Sequence, residues 1–164
     1  MSIDSRLERL LADKPSALAD ATAATHFLIY SAALLERHLD AALAPLNLDL
    51  REYLAIYLLA DNEHESVTPT QLSESLKATR TQVTRLLDRL ESKGLAVRIA
   101  DTVDRRSLAL RLTPQGRALL KCAIPLMERA HLSAWDALGP TTTQGMHQQL
   151  QKLYIGLRCN AYEK

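Results

Sequence analysis

The chain has little that would mark it as an enzyme, a secreted domain or a membrane protein. Only two of its 164 residues are cysteine, Cys122 and Cys159, with no close pair such as CxxC. That excludes a disulfide framework and predicts free, buried thiols in a reducing compartment. Aromatics are 4% of the residues, and 47% hydrophobic with 24% charged is ordinary for a helix-rich soluble protein. No apolar run approaches the length needed to span a bilayer, and the N-terminus lacks an apolar core behind a basic start. No membrane association is therefore expected, and the expected location is cytoplasmic. The five histidines, His26, His38, His64, His131 and His147, show no His-x-x-x-His spacing. Asp61 to Ser66, with Glu63, His64 and Glu65, reads as a solvated loop and not a cation site. With no paired nucleophile and base, phosphate loop or metal set, catalytic, metal and cofactor sites are all expected to be absent.

An excess of one charge is also missing, since the net formal charge is +1. By itself that argues against nucleic acid, but the distribution argues for it. Between Thr68 and Arg117 there are ten Lys and Arg against five acids, so this segment carries +5 and the remainder −4. Phosphate binding needs a basic surface and not a basic whole.

The centre of that segment is TRTQVTRLLDRLESKG, Thr79 to Gly94. Wound as a helix, it places Val83, Leu86, Leu87 and Leu90 on one stripe, the signature of a single buried face. Thr81, Arg85 and Asp88 fall opposite, flanked by Gln82, Thr84 and Arg89. Arg, Gln and Thr can hydrogen-bond base edges and phosphates. Thr79 with Gln82 predicts a capping box, and Gly94 a left-handed residue past the helix end. Asp88 is expected to pair with Arg85 or Arg89.

Before this helix, Thr68, Pro69 and Gln71 announce a short capped helix reaching about Lys77. Two short helices joined tightly, the second with a polar outer face, make a helix-turn-helix. After Gly94 the period falls to 2. Leu95, Val97 and Ile99 alternate with Ala96 and Arg98, and Leu108, Leu110 and Leu112 alternate with Ala109 and Arg111, which predicts a hairpin whose leucine and β-branched side chains face inward. Its connection, Ala100 to Ser107, carries Arg105 and Arg106 and would form the basic tip of a wing. Arg98 and Arg111 suit either phosphate contacts or strand solubility.

The flanks are helical: Ile3 to Ala12; a long run from Ala17 to Leu43; Leu50 to Ala60; another from Pro114 towards Trp135, with Pro125 expected to interrupt and bend it; and about Thr141 to Tyr162. The run from Ala17 exceeds what a small core needs, so part of it is expected to meet a partner chain. The fold class is thus mainly α with a small β-hairpin. A winged helix-turn-helix DNA-binding domain is expected at 50–117, with a helical dimerisation region at 1–49 and 118–164.

The stretch RLLDRLESKGLAVRIADTVDRRSLALRLTPQGRALL, Arg85 to Leu120, resembles the MarR family of winged helix-turn-helix transcription regulators, and within it the repressors of multidrug-efflux operons. The likeness extends to TPTQLSESLKATRTQVTRLLDRLE and IPLMERAHLSAWDAL. The resemblance implies a homodimer on a palindromic operator of double-stranded DNA. The recognition helix residues Thr79, Arg80, Thr81, Gln82, Thr84, Arg85 and Arg89 would enter the major groove. The wing residues Asp104, Arg105 and Arg106 would serve the minor groove, Arg106 entering it and Asp104 holding the loop or a nearby arginine. It also implies release by a small phenolic or hydrophobic effector. His26, Tyr30, Tyr53 and Tyr57 are candidate pocket residues because aromatics and a histidine suit phenols, although a core or interface position suits each of them better. The sensing cysteine of redox-responsive members lies near the N-terminus, where this chain has none. The rival reading is an effector-independent architectural or activating DNA-binding protein.

Overall fold

The computed structural model describes residues 11–61, 67–100 and 108–162. The expected helix at Ile3 to Ala12 therefore lies almost wholly outside the described residues. Contacts divide the chain into two compact units, 1–38 and 39–164.

Helix α1, Ser16–Leu43, begins in the first unit and ends in the second. No Pro or Gly interrupts it, and Thr22 and Thr25 donate their hydroxyls to the carbonyls of Leu18 and Ala21. Within the first unit Leu18, Phe27, Leu28, Ile29, Tyr30 and Leu34 stand exposed on the single chain. The stretch Ser16–Leu46 is long and apolar enough to cross a bilayer by length and composition. This corrects the expectation that no such run exists. Here Ala, Thr and Ser dilute the run without adding charge.

In the second unit, α1 ends on the buried Leu39 and Leu43 and passes into a 3-10 turn, Ala44–Leu46, closed by Asn47 at φ 53°. The Asp40 carboxylate accepts the Leu50 amide at 2.7 Å. Helix α2, Leu50–Asp61, follows. Its start is a reciprocal cap: Asp49 accepts the Glu52 amide, and Glu52 accepts the Asp49 amide.

Helices α3, Pro69–Ser75, and α4, Arg80–Ser92, form the helix-turn-helix. Both predicted capping boxes are present, Thr68 with Gln71 and Thr79 with Gln82, and Gly94 adopts φ 67°. Val83, Leu86, Leu87 and Leu90 are all buried, as the wheel requires. They meet Leu72 of α3, Ile56 and Leu59 of α2 and the hairpin in one core. At about 25 cal/mol per Å² of apolar surface removed from water, such side chains stabilise by roughly 1.5–3 kcal/mol each.

Strands β1, Ala96–Ala100, and β2, Leu108–Leu112, pair antiparallel with Ala96 opposite Leu112 and Arg98 opposite Leu110. The expected hairpin is there, but the parity of β1 is inverted. Ala96 is buried, Val97 is exposed and Leu108 is exposed, while Leu110 and Leu112 point inward as expected. Arg98 makes its ion pairs to α4 from the side that Ala96 shares, which leaves Val97 exposed and Ile99 half-buried on the other. Val67 adds a single bridge to Leu110, its carbonyl accepting the Leu110 amide at 2.8 Å.

Helix α5, Pro114–Trp135, runs through Pro125 without ending, against the expectation that Pro125 interrupts it. A proline removes one backbone donor, and the buried row Leu120, Ala123, Met127 and Ala130 holds both sides against the core. A 3-10 turn, Asp136–Leu138, and Gly139 at φ 70° lead into α6, Gly139–Tyr162. Met146, Leu153, Tyr154, Ile155 and Leu157 of α6 are exposed on the single chain. Cys122 and Cys159 are free, as expected, but exposed where burial was expected. Cys122 falls on the outer side of α5, whose core-facing places are taken by Leu120 and Ala123.

Candidate nucleic-acid interface

Helix α4 is presented by its own ends. The Thr79 hydroxyl accepts the Gln82 amide and the Gln82 side chain accepts the Thr79 amide, so two otherwise unpaired donors are satisfied before the first turn. With one face in the core, Arg80, Thr81, Gln82, Thr84, Arg85, Asp88 and Arg89 are all exposed. Among the described residues Arg80 and Arg85 form no ion pair, and their guanidinium groups are open to solvent. Thr84 is half committed, donating its hydroxyl to the Arg80 carbonyl at 3.0 Å. Thr79 and Gln82 spend part of their hydrogen-bonding capacity on the cap.

Arg89 sits differently from the rest of the predicted set. Its Nε donates to Glu52 at 3.1 Å and its Nη2 to Asp49 at 3.0 Å. Glu52, only 2% exposed, also accepts Lys93 at 2.7 Å. Burial raises the Glu52 carboxyl, but the hydrogen bonds from Lys93, the Asp49 amide and Arg89 outweigh it and hold the group below the ordinary range. The Asp-x-x-Glu spacing at 49–52 is the sequence signal for this cluster.

A second cluster ties the hairpin to α4. The Arg98 amide and Nη1 donate to the two oxygens of Glu91, and Nη2 donates to Asp88 at 2.7 Å and to the Thr84 carbonyl at 3.3 Å. The partner of Asp88 is thus Arg98, and not Arg85 or Arg89 as expected. Arg98 is a bracket between strand and helix, which neither reading of it from sequence foresaw. Arg111 remains exposed on the outer face of β2.

The junction after β2 is fixed by Thr113. Its hydroxyl donates to the Gly94 carbonyl at 2.7 Å and accepts the Gly116 amide at 2.9 Å, so one side chain closes α4, the hairpin and the first turn of α5 together. Gly116 lies so close that a Cβ there would stand 2.1 Å from the Leu95 carbonyl.

The wing residues Asp104, Arg105 and Arg106, and the loop from Asn62 to Ser66, lie outside the described residues. The pocket candidates form two pairs. His26 and Tyr30 stack at 6.2 Å in the first unit, and Tyr53 and Tyr57 meet at 6.0 Å in the second. Tyr53 is buried and its hydroxyl is pushed up, first by burial and then by Tyr57 and Glu128. No group of three or more metal-ligating side chains occurs among the described residues.

A short capped helix, a second capped helix with one polar face and a strand pair bracketed to it together define a winged helix-turn-helix. A family model described as the MarR family matches residues 46–107. The transcriptional repressor MprA of Escherichia coli K12 is 34% identical over 101 residues, which is 62% of this chain and 57% of that repressor's length. The organic hydroperoxide resistance transcriptional regulator of Bacillus subtilis is 32% identical over 101 residues, 61% of this chain and 67% of that one. The crystal structure of a cysteine-to-serine mutant of Escherichia coli MarR complexed with operator DNA shares the fold. It has a TM-score of 0.76 at 21% identity and covers 85% of this chain and 99% of the other. The chain belongs to the MarR family.

Proposed function

We propose that this protein is a DNA-binding transcription regulator, not an enzyme, and acts as a dimeric repressor on a palindromic operator. The observation that carries the reading is the polar face of α4. Arg80, Thr81 and Arg85 are exposed, and unpaired among the described residues, on a helix whose opposite face is wholly buried. Thr79, Gln82 and Thr84 complete the proposed reading face, Arg89 of the same helix being engaged by Glu52 and Asp49, and Asp104, Arg105 and Arg106 form the proposed wing. Base edges in the major groove are read by side chains of this kind, and phosphates position the helix.

The proposed division is a winged lobe at 50–117 and a dimerisation region at 1–49 and 118–164. Two apolar surfaces support a partner chain: the exposed residues of α1 and those of α6. Exposed apolar patches of that extent mark interaction sites, so the membrane-length run in α1 is read as dimer surface and the protein as cytoplasmic. A two-fold dimer fits a two-fold operator, with half-sites about 34 Å or one helical turn apart. We further propose that a small phenolic or hydrophobic effector releases the DNA. His26 with Tyr30, and Tyr53 with Tyr57, are kept as two separate candidate contacts for it.

The test is binding of the purified protein to a duplex selected from a random-sequence pool, with the stoichiometry measured. Two chains per duplex and displacement by a member of a panel of hydroxylated aromatic acids support the reading. Failure to enrich any duplex sinks it. Binding that no aromatic acid weakens removes the effector and leaves the regulator.

A further inference from the structure

We propose that Glu52 and Arg89 form an anchor that sets the pitch of the recognition helix, and that Arg89 is a positioning residue, not a DNA contact. The inference rests on the reading of α4 as a DNA-binding helix.

Arg89 and Lys93 are one turn apart at the C-terminal end of α4, and both reach back to Glu52 in the first turn of α2. Glu52 is a buried carboxylate whose oxygens accept the Asp49 amide at 3.1 Å, Lys93 at 2.7 Å and Arg89 at 3.1 Å. A buried charge is tolerated only when it is paired and hydrogen-bonded, and removing one partner costs more than the pair contributes. Rotating α4 so that Arg89 could follow a phosphate would strip Glu52 of one of its two cations. Lys93 adds a tie to the Asn47 carbonyl at 2.6 Å, in the turn that joins α1 to α2. On Arg89 the Nε–H is taken by Glu52 and an Nη2–H by Asp49, so two of its donors are tied to the start of α2. Among the described residues, the arginines of α4 that form no ion pair are Arg80 and Arg85, both in its N-terminal half. One half of the helix is therefore open for reading, and the other is pinned to α2 by a cluster that fixes where the open half points. Groups that must meet bases depend on such support, because a misplacement of about 1 Å can cost on the order of a hundredfold.

Three variants test this on the full chain with a pool-selected duplex and a random-sequence duplex. Arg89→Ala and Glu52→Gln should each reduce the preference for the selected duplex by roughly tenfold or more, at an unchanged slope of log affinity against log salt. Glu52 cannot touch DNA, so the same phenotype from both changes means the effect passes through the cluster. The double variant should be no worse than either single change in affinity and in thermal stability, since each already breaks the same cluster. A salt slope that falls by about 0.9 in Arg89→Ala alone would show a phosphate contact and overturn the proposal. So would an unaffected Glu52→Gln, or additive losses in the double variant. The stability cycle needs no DNA, so the anchor can be judged even if the wild type binds no duplex.

Discussion

The Arg98 guanidinium donates to Glu91 at 2.7 Å, and through this contact a residue of β1 is locked onto the outer flank of α4. The same group neutralises Asp88, again at 2.7 Å. Arg98 therefore ties the hairpin to the recognition helix, and two carboxylates beside the proposed DNA face are masked.

Arg98→Ala should unmask both. Affinity for a selected duplex should fall, and stability should drop by about 1–2 kcal/mol, below the full value of hydrogen bonds to charged groups because the pairs are partly exposed. Adding Asp88→Asn should recover part of the affinity and none of the stability. Anisotropy titrations and thermal melts measure the two effects; a double variant that binds no better than Arg98→Ala speaks against unmasking.

Gly116→Ala should be among the most damaging small changes in the chain. The added methyl meets the backbone carbonyl of Leu95 and the side chain of Leu112, neither of which can yield cheaply. A loss of at least about 2–3 kcal/mol is expected, or failure to fold. Normal melting would show that the junction between α4, the hairpin and α5 is looser than its geometry.

Leu86→Ala removes core volume from the inner face of α4, where Leu86 is 4% exposed. Denaturant unfolding should show a loss of about 2–5 kcal/mol. An unchanged midpoint contradicts the burial of this face.

Acid should weaken the α2 to α4 anchor. The Glu52 carboxyl titrates below its usual range in the folded protein, so its contribution to stability is complete above about pH 4.3 and is lost as the pH falls through the lower folded value. The difference in melting temperature between wild type and Glu52→Gln should therefore shrink from pH 6 towards pH 3. A difference that stays constant over that range means the charge of Glu52 is not what holds the cluster.

Where local chemistry decides a feature, the sequence carried it. The capping boxes at Thr68 and Thr79, the left-handed Gly94 and the leucine stripe of α4 each depend on residues within one or two turns. Features set by distant partners were not legible. In β1, Arg98 meets Asp88 and Glu91 of a preceding helix, and alternation alone assigned Val97 to the wrong face. Arg89 looks like any exposed arginine until Glu52, 37 residues earlier, is seen beneath it. Residues dilute in charge but not strictly apolar hid the membrane-length character of α1. For the cysteines, a general tendency to burial outweighed the helix wheel that puts Cys122 outside.

The central claim is that the open half of α4 reads DNA. It is tested most directly by comparing wild type with Arg85→Ala on a pool-selected duplex across a salt series. Wild-type affinity should fall steeply as salt rises, and Arg85→Ala should lose about 1–3 kcal/mol of binding with an intact melt. Equal affinity of the two proteins at every salt concentration would contradict the account.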